Sequence, residues 1–163
     1  MTTPRIYAAC HASYNAGRLH GVWIDATQGV DHIDAEIRVM LSESFEPNAE
    51  EWAIHDYENM PSQGEYPDLE QIARLGEFLE DGGPERWAYI YLFDGEALDR
   101  FEERYLGEFE TRAEMAEDLL QSTGSLADMP DHLAMYFDFD AYGRDLLTSG
   151  DVCEHDGCYF WRN

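Results

Sequence analysis

Lysine is missing from this sequence: all ten of its basic residues are arginine, and they face thirty-five aspartates and glutamates. No run of 18 apolar residues occurs, so no membrane-spanning helix is expected. The start, MTTPRIYAAC, does not place a long apolar region after a charged one, so no signal peptide is expected. Cysteine is sparse and odd in number (Cys10, Cys153 and Cys158). That set fits a reducing, cytoplasmic setting better than a disulfide framework. Internal repeats, low-complexity tracts and Pro/Ser-rich linkers are also missing. What remains is a chain of 163 residues, 44% hydrophobic and 13% aromatic, which is enough to bury a core.

The net charge of −25 is the outlier. Self-repulsion at that level destabilises a compact state, so the charge needs a reason. It is not a tail. Residues 1–61 carry ten acids and three arginines, residues 62–103 twelve and three, and residues 104–163 thirteen and four. No block of five or six like charges stands out, so the load is spread over folded-looking sequence.

The periodicities give an α+β scaffold of three small parts. Residues 1–61 read as a small antiparallel sheet with one helix. RIYAAC (5–10), LHGVWIDA (19–26) and EWAIHDY (51–57) are rich in β-branched and aromatic residues, and Asn15 and Gly17 mark a turn. DHIDAEIRVMLSE (31–43) shows a helical stripe of Ile33, Ile37, Met40 and Leu41, with Asp31 as cap. Residues 62–103 read as a short-helix cluster. Pro67 suits a first helical position and Gly82 a stop, with Leu69, Ile72, Leu75, Phe78 and Leu79 inward. Pro84 opens a second helix, and Asp94 caps a third that turns Leu98, Phe101 and Tyr105 inward.

Residues 104–163 mix both types. TRAE (111–114) matches a capping box for a helix reaching Gly124. Pro130 opens a short helix, Asp138 caps another through Leu147, and DVCEHDGCYFW reads as a hairpin turning at Asp156-Gly157. The helix ending at Gly82 carries Glu77, Glu80 and Asp81 in its last turn. Carboxylates there oppose the helix dipole, at roughly 0.3–1 kcal/mol each when exposed.

Catalytic and metal-binding patterns fit poorly. In His55-Asp56-Tyr57-Glu58, strand alternation sends His55 and Tyr57 to one face and Asp56 and Glu58 to the other. Cys153, His155 and Cys158 lack two-residue metal-knuckle spacing and a second Cys/His pair. DFDAYG (138–143) begins like a calcium loop, but its twelfth position is Ser149 where a glutamate belongs. No GxGxxG, P-loop or nucleophile elbow occurs, and no enzyme, cofactor or metal is expected.

Two readings of the acidity stay open on composition. One is a salt-adapted acidic module for protein interaction. The other is a protein surface that imitates nucleic acid and inhibits a nucleic-acid-binding protein. Duplex DNA carries one charge per about 1.7 Å of axis, so 25 charges correspond to roughly 43 Å of duplex.

Three ordered motifs favour the second. RIYAACHASYNAGRLHGVWID (5–25) supplies Ile6-Tyr7-Ala8-Ala9, Tyr14-Asn15, Gly17, Leu19, Gly21 and Trp23-Ile24-Asp25. EEWAIHDYEN (50–59) and SLADMPDHLAMYFDFDAYGRDLLTSGD (125–151) follow. Together they resemble the ArdA antirestriction family, whose C-terminal motif is matched here by Tyr136, Asp138, Ala141, Tyr142, Arg144 and Leu146.

The resemblance implies a DNA mimic, carried on mobile elements, that occupies the DNA-binding groove of type I restriction–modification enzymes. It would block cleavage and often methylation. It implies an elongated, curved chain of three subdomains and a homodimer joined through the C-terminal part, with no direct nucleic-acid contact and no membrane. The carboxylates expected to imitate phosphates are Glu70, Glu77, Glu80, Asp81, Asp99, Glu102, Glu103, Glu110, Glu114, Glu117, Asp118, Asp128, Asp131, Asp140 and Asp145. In YFDFDAYGRDL (136–146), Phe139, Tyr142 and Leu146 would pack inward or against a partner subunit. Asp140 and Asp145 would present charge, and Arg144 would pair with Asp140 at i,i+4.

Overall fold

The computed structural model describes residues 2–163. Its contacts gather the chain into two compact units, 1–82 and 83–163, where the sequence suggested three parts. The segment expected as a central cluster is shared between them. Its first helix packs in the N-terminal unit and its second against the C-terminal sheet. The fold class is mixed α+β, as the periodicities indicated.

The N-terminal unit is built on an antiparallel sheet of β1 (Arg5–Cys10), β2 (Gly21–Asp25) and β3 (Trp52–Glu58), in the order β2-β1-β3. A short helix, α1 (His11–Asn15), follows β1 where only a turn was expected. Two longer helices, α2 (Val30–Ser42) and α3 (Leu69–Glu80), supply the rest of the core. Ile33, Ile37 and Met40 recur at i, i+4 and i+7 and are all buried, as are Ile72, Leu75 and Leu79 of α3. Complete burial of a side chain such as Ile33 or Leu75 contributes about 1.5–3 kcal/mol. Gly76 fixes how closely α3 can approach: a Cβ there would sit 2.2 Å from the Ala26 carbonyl oxygen.

Two caps differ from expectation. Gly29, at φ +89°, is the N-cap of α2, and Asp31 lies two residues further in, within the first turn, where its charge still favours the dipole. Asp68, not Pro67, begins α3: its carboxylate accepts from the Glu70 amide at 3.0 Å. The β1–β3 register also breaks. Tyr7 pairs with Asp56 and Ala8 with Ile54, leaving His55 opposite no residue. This bulge interrupts alternation, so His55 and Asp56 are both exposed rather than sent to opposite faces.

In the C-terminal unit, β4 (Tyr105–Glu108), β5 (Val152–His155) and β6 (Cys158–Trp161) form a second antiparallel sheet in the order β4-β6-β5. Strand β4 was not anticipated. The helix expected from Asp94 through Tyr105 is instead a 3-10 turn at 98–100 and one helical turn, α5 (Phe101–Arg104), so Tyr105 starts a strand. Asp94 is the left-handed C-cap (φ 52°) of α4 (Pro84–Phe93), not an N-cap. Leu98 and Phe101 are buried as expected.

Phe160 is fully buried, with Tyr89, Phe93, Phe101 and Tyr105 around it at ring-centroid distances of 5.3–6.1 Å. Thr111 caps α6 (Arg112–Ser122) by accepting from the Glu114 amide at 3.2 Å, and Glu114 reaches back to the Glu110 amide at 3.2 Å. After the short α7 (Asp131–Ala134), α8 (Phe139–Ser149) is capped by Asp138. Helices α6 and α8 cross closely because Gly143 has no side chain: a Cβ there would lie 2.5 Å from the Arg112 carbonyl. The predicted hairpin forms between β5 and β6, with Asp156 and Gly157 at φ 49° and 82°.

Candidate carboxylate surface

None of the thirty-five acidic residues is buried, twenty-nine are exposed and six are half-buried. Five of those six hold a partner. Asp25 accepts from the Thr27 amide and hydroxyl, Glu85 from the Gly83 amide, and Asp34, Glu46 and Glu58 pair with Arg38, Arg18 and Arg5. Exposed acids do structural work too: Asp68, Glu114 and Asp138 accept helix-end amides, and Glu103, Asp140 and Asp145 pair with arginines, while their carboxylates remain in solvent. Burial of Asp25 opposes its ionisation, but the Thr27 and Gln28 hydrogen bonds outweigh that and lower its pKa.

All fifteen carboxylates singled out from the sequence are exposed. In the N-terminal unit Glu70, Glu77, Glu80 and Asp81 lie on or end α3. At 1.5 Å per residue and 3.6 residues per turn, Glu70, Glu77 and Asp81 share one face and span about 16 Å. Glu80 lies off that face and Arg74 lies on it. The four acids less Arg74 leave three net negative charges over that length, about one per 5–6 Å, sparser than the ~3.4 Å per charge of a single DNA strand but of the same order. In the C-terminal unit, Glu114, Glu117 and Asp118 occupy about 6 Å of α6. Asp140 and Asp145 lie on the adjoining α8, Glu102 and Glu103 on α5, and Asp131 on α7. Asp99 sits in the 3-10 turn at 98–100, and Glu110 and Asp128 in the connections.

The helix ends reinforce this charge. Each of the five helices of ten or more residues has an acid in its first turn, and none has a base in its last. First-turn acids complement the dipole. The last turn of α3 instead adds Glu77, Glu80 and Asp81 to the negative pole.

Arginines deepen ionisation at two sites. Arg112 makes a bidentate pair with Asp140 (2.8 and 2.9 Å), holding that carboxyl below its ordinary range. Arg100 does the same for Glu103. The Arg112–Asp140 pair replaces the expected Arg144–Asp140 pair, because α6 and α8 adjoin at Gly143; Arg144 turns to Asp145 at 3.2 Å.

Within 136–146, Asp138 accepts from the Ala141 amide at 2.9 Å. Leu146 is buried with Met115, Leu119, Val152 and Tyr159, and Tyr142 packs on that cluster. Phe139 is half-buried against Phe137 at 5.0 Å. Ala141 is half-buried and Arg144 exposed, while Tyr136 stays 80% exposed. The cysteines are all buried. Burial pushes the Cys153 and Cys158 thiols up, and at Cys158 the nearby Glu108 and Glu85 add to the rise. The surface as a whole offers many independent acceptors for guanidinium and ammonium groups.

The family model for antirestriction protein ArdA matches residues 6–161. The chain belongs to the ArdA family. Membership implies antirestriction activity and interaction with restriction enzymes. No curated protein matches the chain. The match also takes in residues 60–120, which lie between the second and third of the sequence motifs.

Proposed function

We propose that this ArdA-family protein acts without catalysis, by presenting rows of carboxylates that stand in for DNA phosphates in the DNA-binding groove of a type I restriction–modification enzyme. The observation that carries the reading is the exposure of all fifteen candidate carboxylates, with α3 carrying a net negative row of the same order of charge spacing as a DNA strand. A groove evolved to neutralise phosphates with Lys and Arg would meet the same charge here, and association would be steered electrostatically. Blocking of methylation, cytoplasmic location and carriage on a mobile element belong to the same proposal.

The proposal includes a homodimer joined through the C-terminal unit. Leu133, Met135 and Tyr136 are 51%, 75% and 80% exposed, and they adjoin the half-buried Phe137. Such a run beside α8 suits burial against a second copy.

Displacement tests the function. A labelled duplex bound to a purified type I enzyme is titrated with the protein, and fluorescence anisotropy follows release. Displacement at near-stoichiometric protein is the expected result. Full retention of the duplex contradicts the proposal and favours a salt-adapted acidic surface.

A further inference from the structure

The N-terminal unit holds a cavity of about 560 Å³ lined by His11, Glu50, Glu51, Trp52, Tyr66 and Pro67. Its walls are fixed by the backbone. The His11 amide donates to the Glu51 carbonyl at 2.9 Å, and Trp52 pairs with Cys10 at the start of β3. On the other edge of β3, the Ile54 amide donates to the Glu65 carbonyl at 2.8 Å, which holds Tyr66-Pro67 alongside. Trp52 is half-buried, whereas Tyr66 is 68% exposed and Glu50 and Glu51 are exposed. The salt bridges of this unit go to Glu58, Glu46 and Asp34, none of which lines the cavity.

Two aromatic rings and two carboxylates around one concavity match a planar cation. We propose that this cavity binds the guanidinium of an arginine side chain presented by a partner protein. Aromatic faces attract cations, and arginine stacks on them while its forked N–H groups reach carboxylate oxygens. Lysine, a strongly hydrated point charge, gains less from a flat ring. The identity of the partner rests on the proposed function; the chemistry of the cavity does not. The site turns a diffuse ionic attraction into an anchored one at a defined place.

The test uses the whole protein and N-acetyl-arginine-methylamide, followed by the indole N–H signal of Trp52 in 1H–15N spectra. The expected result is a saturable shift of Trp52 with a Kd near 1 mM, and a several-fold weaker response to the lysine analogue. Tyr66→Ser and Glu51→Gln, both at exposed positions, each weaken binding roughly two- to fivefold. Tyr91→Ser, in the other unit, changes nothing. No Trp52 shift, an equal response to lysine, or indifference to Tyr66→Ser overturns the inference. DNA displacement is measured on the same samples. Displacement with a silent Trp52 overturns the cavity alone; a responding Trp52 without displacement overturns the DNA-mimic reading and leaves the cavity standing.

Discussion

Removing three charges from the end of α3 should make the protein more stable and a worse inhibitor. The variant is Glu77→Gln, Glu80→Gln, Asp81→Asn, at exposed positions in the last turn and C-cap. Each carboxylate opposes the dipole by about 0.3–1 kcal/mol, so the triple variant should gain about 1–3 kcal/mol at low salt. For a unit of this size that is a rise in Tm of several degrees or more. The same three charges, as exposed contacts of about 0.2–1 kcal/mol each, should cost roughly three- to 150-fold in inhibition. Urea unfolding followed by circular dichroism gives the first number, and displacement of labelled duplex from a type I enzyme gives the second. The stability gain should shrink as salt rises, because the effect is screened. A variant that is less stable, or one that is more stable yet inhibits undiminished, refutes the idea that these acids are kept for binding at the expense of the fold.

Other outcomes follow from the same geometry. Gly76→Ala and Gly143→Ala force a Cβ to within 2.2 and 2.5 Å of a carbonyl oxygen and should each cost about 1–3 kcal/mol in urea unfolding. The Asp140 carboxyl should titrate below ordinary aspartate by carbon NMR and move up in Arg112→Gln. Because its folded pKa is depressed, the pair's contribution is present above the unfolded value and is lost as pH falls through the folded one. The urea midpoint of the wild type should rise from low to physiological salt as self-repulsion is screened. Tyr136→Asp should shift sedimentation toward the monomer; an unchanged distribution removes Tyr136 from the subunit contact.

Much of this molecule could be read before folding it. The stripes of α2 and α3, the Thr111 and Asp138 caps and the Asp156-Gly157 hairpin depend on local chemistry, which a sequence displays. Features set by distant partners were hidden. Strand β4 is only YLGE, with Gly107 at φ 137°, and it exists because β6 pairs with it. The bulge at His55 is a matter of register with β1, and Asp140 finds Arg112 only because two helices meet at a glycine. The exposure of the candidate acids was legible because charged side chains rarely bury without partners. The cavity at Trp52 and Tyr66 was not: its residues come from three separate segments, and no spacing links them.

The central claim is that this protein occupies the place of DNA. Inhibition of a type I enzyme measured at several duplex concentrations tests it most directly. Mutually exclusive binding predicts an apparent inhibition constant that rises in proportion to the duplex. A constant that stays flat, with enzyme, duplex and inhibitor held in one ternary complex, contradicts it.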